Sequence, residues 1–141
     1  MGMEKRAIPD LYITSSTQND ISTPPSEGRL NLQGGSWCAS PSDVTPFLQV
    51  DLGTRHVICA VATQGSPTAD QWAVSYQLQF ADDENFWFYM EANVVRTFSG
   101  NADRSSKVKN LLLGNPEATT VRFLPRQWHG LIACMRVEVY G

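Results

Sequence analysis

The 141-residue chain predicts an all-β domain, and three features carry that expectation. Apolar and polar residues alternate with period two in short runs, most cleanly from Leu48 to Leu52, from Tyr76 to Phe80 and from Met135 to Val139. Ten Gly and eight Pro, with only 18% charged residues, suit a fold of many turns. Nowhere does an apolar stripe of helical period extend over a useful length. A hydrophobic content of 42% is enough for one domain, 1–141, with a sizeable core.

Taken in order, residues 1–10 read as a lead-in that ends at Pro9, and Leu11 to Ser15 as a short first strand. Thr17 to Glu27 carries Pro24-Pro25 and is expected as a loop. Arg29 to Leu32 runs into a reversal at Gly34-Gly35, and Trp37-Cys38-Ala39 is an apolar return before the loop Ser40 to Pro46. Phe47 to Leu52 is a strand with Leu48, Val50 and Leu52 inward, stopped by a turn at Gly53-Thr54. Val57 to Ala62 is apolar on both faces and predicts a strand buried on both sides. A polar loop, Gly65 to Gln71, joins it to the half-exposed strand Tyr76 to Phe80.

Ala81 to Asn85 is an acidic turn, and Phe86 to Tyr89 opens the next strand. Val94 to Phe98 is β-prone, Ser99 to Ser106 a loop of turn formers, and Val108 to Leu113 a strand ended by Gly114-Asn115-Pro116. Thr119 to Leu124 is a strand and Pro125 to Gly130 a loop. Ile132 to Tyr140 closes the chain, with Met135, Val137 and Val139 inward and Arg136 and Glu138 outward. Roughly eight or nine short strands at this spacing are the pattern of a sandwich or jelly-roll barrel.

A formal net charge of −3 argues against a nucleic-acid partner and gives no global attraction to an anionic membrane. No run approaches the length of a transmembrane segment, and the polar start Met1 to Arg6 lacks the apolar core of a signal peptide. Cys38, Cys59 and Cys134 leave open one disulfide with one free thiol, or three free thiols, and match no zinc spacing. Cys59 sits in an apolar run and reads as a small buried hydrophobe. For catalysis the chain offers only His56 and His129, and no GxSxG, HExxH, P-loop or GxGxxG pattern. Its one carboxylate cluster, Asp82-Asp83-Glu84, falls in a turn. A binding module is therefore expected and an enzyme is not, with a small hydrolase as the distant alternative.

Eight stretches, in order along the chain, resemble the discoidin domain, also called the coagulation factor 5/8 type C domain. They are IPDLYITSS (8–16), GRLNLQGGSWCAS (28–40), FLQVDLG (47–53), ATQG (62–65), WAVSYQLQF (72–80), FSGNADRSSKVKNLL (98–112), VRFLPRQWHG (121–130) and MRVEVYG (135–141). The look is nearest to the retinoschisin-like and discoidin-receptor-like branches. The resemblance implies a distorted jelly-roll β-barrel or sandwich of antiparallel strands, with loops projecting from one end. It also implies a Cys38–Cys134 disulfide, which would contribute about 4 to 5 kcal/mol by chain entropy, and a free Cys59.

By position, the ligand loops of the family become Gln18 to Ser26, Ser40 to Thr45, Gly65 to Gln71 and Arg126 to Gly130. The ligand classes that the resemblance brings are glycan, anionic phospholipid and matrix protein such as collagen. On these loops the candidate ligand residues are Gln18, Asn19, Asp20, Ile21, Asp43, Ser66, Asp70, Gln71, Trp72, Arg126, Trp128 and His129; for glycan, Asp70, Gln71, Arg126 and His129 are the polar partners, with Trp72 and Trp128 as aromatic faces. Strand burial competes for Trp72, and packing against the barrel for Trp128. For lipid, Ile21 is the one large aliphatic tip, worth about 2 kcal/mol of burial and too little alone for stable anchoring. The collagen-binding branch has an arginine directly after the TQG, where this chain has Ser66.

Sugar-binding relatives hold a structural calcium, which makes Asn31, Ser36 and Glu138 the metal candidates. Asn31 stands where a hard cation wants a carboxylate, so no cofactor is expected unless these residues provide for calcium. The whole reads as an extracellular adhesion or recognition domain for a cell-surface or matrix ligand, strengthened by multivalency.

Overall fold

The computed structural model describes residues 1–83 and 85–141; Glu84, and with it part of the turn carboxylate cluster, lies outside the described residues. Twelve strands are present among them: β1 (Ile13–Ser15), β2 (Trp37–Cys38), β3 (Leu48–Val57), β4 (Ala60–Gln64), β5 (Trp72–Asp82), β6 (Asn85–Phe88), β7 (Met90–Glu91), β8 (Val94–Val95), β9 (Phe98–Ser99), β10 (Val108–Leu111), β11 (Glu117–His129) and β12 (Cys134–Tyr140). Two 3-10 turns, Asp10–Tyr12 and Pro25–Glu27, complete the elements.

The strands form two main antiparallel sheets. A six-stranded sheet runs β1-β3-β11-β5-β6, with β9 also on β5, and a four-stranded sheet runs β10-β4-β12-β2. β7 and β8 make a separate hairpin. The sheets face each other as a sandwich and do not close into one barrel. Period-two alternation sets the core: Leu48, Val50, Tyr76, Leu78, Phe80, Val121 and Phe123 point inward from the larger sheet, against Val61, Met135, Val137 and Val139 from the smaller. Each such side chain contributes about 1.5 to 3 kcal/mol on burial.

Several sequence expectations are corrected. β3 continues through Gly53, where a turn was expected, to Val57. The apolar run from Val57 is broken at Ile58-Cys59, so within that run the strand buried on both faces is β4 alone, and Cys59 is an exposed free thiol. β11 runs on to His129, so Pro125 to His129 is strand. A register shift between Pro125 and Gln127 lets β11 continue beside β5. Its pairing with β3 ends at Phe123, so the proline's missing N–H faces no ladder on that side.

Arg136 and Glu138 do alternate away from the core, yet both are buried, because other parts of the chain cover that face of β12. The N-terminal segment covers Glu138. The Gly2 and Met3 amides donate to Glu138 Oε1 (3.2 Å each), the Glu4 amide to Oε2 (3.1 Å) and the Val139 amide to Oε1 (2.9 Å). The guanidinium of Arg29, 2% exposed, ties down the same segment by donating to Met3 O (3.0 Å), Ile8 O (2.7 Å) and Asp10 Oδ1 (2.6 Å).

Candidate ligand-binding loop face

Three loops and one turn meet at one end of the sandwich, and the β2–β12 seam fixes their spacing. Cys38 and Cys134 face each other in register and form a disulfide, as the sequence resemblance implied. The Asn19 amide donates to Cys38 O (2.9 Å) and the Ala39 amide to Ala133 O (2.9 Å), which ties the first two loops to the β11–β12 turn.

The first loop is built on Asp20. Its carboxylate accepts from the Ser22 amide (2.8 Å) and hydroxyl (2.5 Å), and the Ser22 hydroxyl leads in holding the Asp20 carboxyl below its ordinary value. Gln18 Nε2 donates to Asp20 O (3.0 Å). This leaves Ile21 at the tip, 94% exposed. In the second loop Asp43 works as a clamp, accepting from Ser16 Oγ (2.5 Å), Thr17 Oγ1 (2.7 Å) and the Thr45 amide (3.1 Å). Partial burial pushes the Asp43 carboxyl up, and these donors outweigh it, so its pKa is lowered. Its oxygens are occupied by its own loop, and Val44 (87% exposed) holds the tip.

The third loop, 65–71, closes through the Ser66 amide on Gln71 O (2.9 Å). Only glycine fits at 65, since a Cβ there would lie 2.7 Å from the Trp72 Cβ. Below it Arg136, buried without a carboxylate partner among the described residues, donates to Gly65 O (2.7 Å), Leu32 O (2.6 Å) and Arg104 O (2.8 Å). One guanidinium thus anchors three chain segments. Ser66 is buried, with its hydroxyl 3.3 Å from Thr68 Oγ1, and Asp70 pairs with Arg104 Nε at 2.8 Å.

Between these segments lies a groove of about 150 Å³. Its walls carry Asn19, Ser22, Ser36, Thr68 and Gln71, and Cys38 and Ile132 give it an apolar side. Larger clefts of about 360 and 250 Å³ lie beside the N-terminal segment. Of their charged groups Arg29 and Glu138 already spend their hydrogen bonds inside the fold, while Glu4, Lys5 and Arg6 leave the clefts charged, so the loop groove, walled by neutral polar groups, is the better site for a neutral ligand.

The structure divides the sequence candidates. Asn19 and Gln71 line the groove with Ser66. Trp72 stacks on His129, ring centres 4.4 Å apart, at the adjoining ends of β5 and β11. Trp128 is half-buried and packs on the core. Arg126 stands on the outer sheet face, its Nε on Gln77 Oε1 at 2.8 Å. Sequence reasoning missed Ser36 as a groove residue, and it missed Val44 and Leu131 as exposed tips. Leu131 (91% exposed) follows Gly130, whose φ of +95° turns the chain outward, and that glycine was the available signal.

The calcium candidates Asn31, Ser36 and Glu138 line three clefts, those of Asn31 and Glu138 sharing Glu4, and the Glu138 oxygens accept from amide donors. Among the described residues no group of three or more His, Cys, Asp or Glu is placed to hold a metal ion.

Residues 12–139 match the family model described as F5/8 type C domain. The sequence is 39% identical to retinoschisin from Takifugu rubripes over 149 aligned positions, covering 99% of this chain and 53% of that protein. The chain thus spans about half the length of that relative. Discoidin II from Dictyostelium discoideum superposes with a TM-score of 0.82 at 25% identity, over 91% of this chain and 53% of that one. A family 32 carbohydrate-binding module from Clostridium perfringens NanJ, solved with galactose, shares the fold with a TM-score of 0.74 at 17% identity, over 95% and 97% of the two chains. So does a chitosan-binding module from Paenibacillus sp. IK-5, at 0.70 and 16%, over 92% and 93%.

Proposed function

Because the chain belongs to the F5/8 type C, or discoidin, domain family, we propose that it works outside the cell as an adhesion module whose loop end binds a glycan. The domain is a non-catalytic binding module. The observation that carries the glycan reading is the groove between the loops, lined by short neutral donors and acceptors at Asn19, Ser22, Ser36, Thr68 and Gln71. Such groups pair with hydroxyls in either sense, and the apolar side at Ile132 meets sugar C–H groups. About 150 Å³ is below the usual size of a drug-like pocket and suits one small polar group. The fold is the one on which the galactose-bound and chitosan-binding modules present their ligands. The Cys38–Cys134 disulfide fits an oxidising, extracellular compartment. Linkage to other copies would raise the avidity of so small a site.

A second reading, anionic phospholipid, draws on one observation: Ile21, Val44 and Leu131 stand bare on three tips at the same end. Their burial in a bilayer interface would add about 2 kcal/mol each. Ionised Asp20 beside Ile21 opposes it, since an anionic surface repels that carboxylate.

The test is parallel binding to a glycan array, phosphatidylserine liposomes and collagen, each with and without calcium. The glycan reading expects saturable sugar binding that Gln71→Ala and Thr68→Ala weaken and Ile21→Ser leaves intact. Liposome binding lost in Ile21→Ser and Leu131→Ser, with no sugar retained on the array, would replace it with the lipid reading.

A further inference from the structure

We propose that the outer face of the six-stranded sheet is a second binding surface, which takes the sulfate groups of a sulfated polysaccharide through Arg122 and Arg126. Both arginines give their Nε to a glutamine of a neighbouring strand. The Arg122 guanidinium lies between the rings of Phe47 and Phe86, at 4.1 and 3.6 Å from their centres, and its Nε donates to Gln49 Oε1 at 2.6 Å. Arg126 sits at the β11 register shift, which aims it off the ladder, and its Nε donates to Gln77 Oε1 at 2.8 Å. Gln77 is itself steadied by its Nε2 on Thr97 Oγ1 at 3.1 Å.

Each guanidinium is therefore held at its Nε edge, and its two terminal nitrogens donate to no acceptor among the described residues. Neither arginine has a carboxylate partner among them. Asp51, on the same face of β3, turns its Oδ1 to the Gly53 amide at 2.8 Å. A planar donor fork held in place is what oxyanion recognition uses, and fixing it beforehand lowers the entropy lost on binding. In a chain of net charge −3, two such groups on one face form a local positive site.

The neighbourhood selects a polysaccharide as the occupant. Gln49 and Gln79 flank Arg122 on the neighbouring strands and Gln77 stands opposite Leu124, neutral amides suited to hydroxyls, and Phe86 and Phe88 add half-exposed rings for sugar C–H faces. Four residues along one strand put the arginines on the order of 10 Å apart, so one chain with repeated sulfates engages both. The face is separate from the loop groove and its occupant does not depend on the groove's ligand.

The experiment measures binding of the whole domain to dextran sulfate, unsulfated dextran and polyglutamate at two salt concentrations. Dextran sulfate is expected to bind, more weakly at the higher salt, and both controls far less. Arg126→Gln, at an exposed position, is expected to lower the affinity about tenfold. Arg122→Lys, which keeps the charge and removes the fork with its stacking, is expected to lower it severalfold in a domain that still unfolds cooperatively. Gln71→Ala in the loop groove should leave it unchanged. Equal binding of dextran sulfate to wild type and Arg126→Gln would overturn the proposal, as would polyglutamate binding as tightly, which would identify the partner as an acidic protein.

Discussion

The imidazole of His129 lies on the indole of Trp72, with ring centres 4.4 Å apart and planes 12° from parallel. The pair joins the last residue of β11 to the first of β5 and closes the sheet at the loop end. His129→Ala removes the stack and uncovers the half-buried indole. The expected outcome is a loss of about 0.5 to 1.5 kcal/mol, with a red shift in tryptophan emission. An unchanged emission spectrum would mean that the indole is shielded by other groups.

Arg136 has a larger effect. Replacement by Met takes this donor from the carbonyls of Gly65, Leu32 and Arg104; the contact to Gly65 O is buried, the other two are half-buried, and Arg104 O keeps the Gly65 amide at 3.1 Å. A buried acceptor left unpaired costs about 1 to 3 kcal/mol, so urea unfolding should show a loss of that order, carried mainly by Gly65 O. Arg136→Lys, with one ammonium for three carbonyls, should recover only part.

Stability should fall in acid through Glu138. Burial pushes its carboxyl up, but the amides of Glu4, Val139 and Gly2 outweigh that, so the folded-state pKa lies below the ordinary 4.5. A depressed carboxyl stabilises the fold above its unfolded pKa, and the contribution is lost as pH drops from 4.5 through the folded value. Glu138→Gln should therefore be less stable than wild type by about 2 kcal/mol at neutral pH. The two unfolding curves should converge as the pH is lowered below 4.5. A constant gap between pH 7 and pH 3 would contradict the assignment.

Thiol chemistry separates the three cysteines. Cys59 is exposed and free, while Cys38 and Cys134 are bonded and buried. A thiol reagent should label one cysteine in the native protein and none in Cys59→Ser. Removing the bond by Cys134→Ala opens a sequence separation of 96 residues and should cost about 4 to 5 kcal/mol on the chain-entropy estimate.

What could be read from the sequence was what depends on neighbours along the chain. The Tyr76 to Phe80 alternation gave the inward residues of β5, and the turn formers gave the loop at 65–71. Arg136 and Glu138 show the limit. Their spacing does point them away from the core, but Gly2 to Glu4, Leu32 and Arg104 cover them from far along the chain, and no local pattern reports that. Pro125 misled for a related reason: a proline stops a central strand, and only the pairing shows that β11 has lost its β3 neighbour by then. At the site, exposure was the hidden quantity. Asp43 has a ligand-like side chain occupied by Ser16 and Thr17, while Val44 and Leu131 have core-like side chains in solvent.

The three carbonyls on Arg136 also say how the domain can be altered. Positions 67–70 and 18–22 project beyond the anchored backbone, so their side chains can be exchanged while the strands beneath hold their register. A library confined to those tips would vary what the domain recognises on a frame that stays constant, and the guanidinium below it is the residue to leave alone.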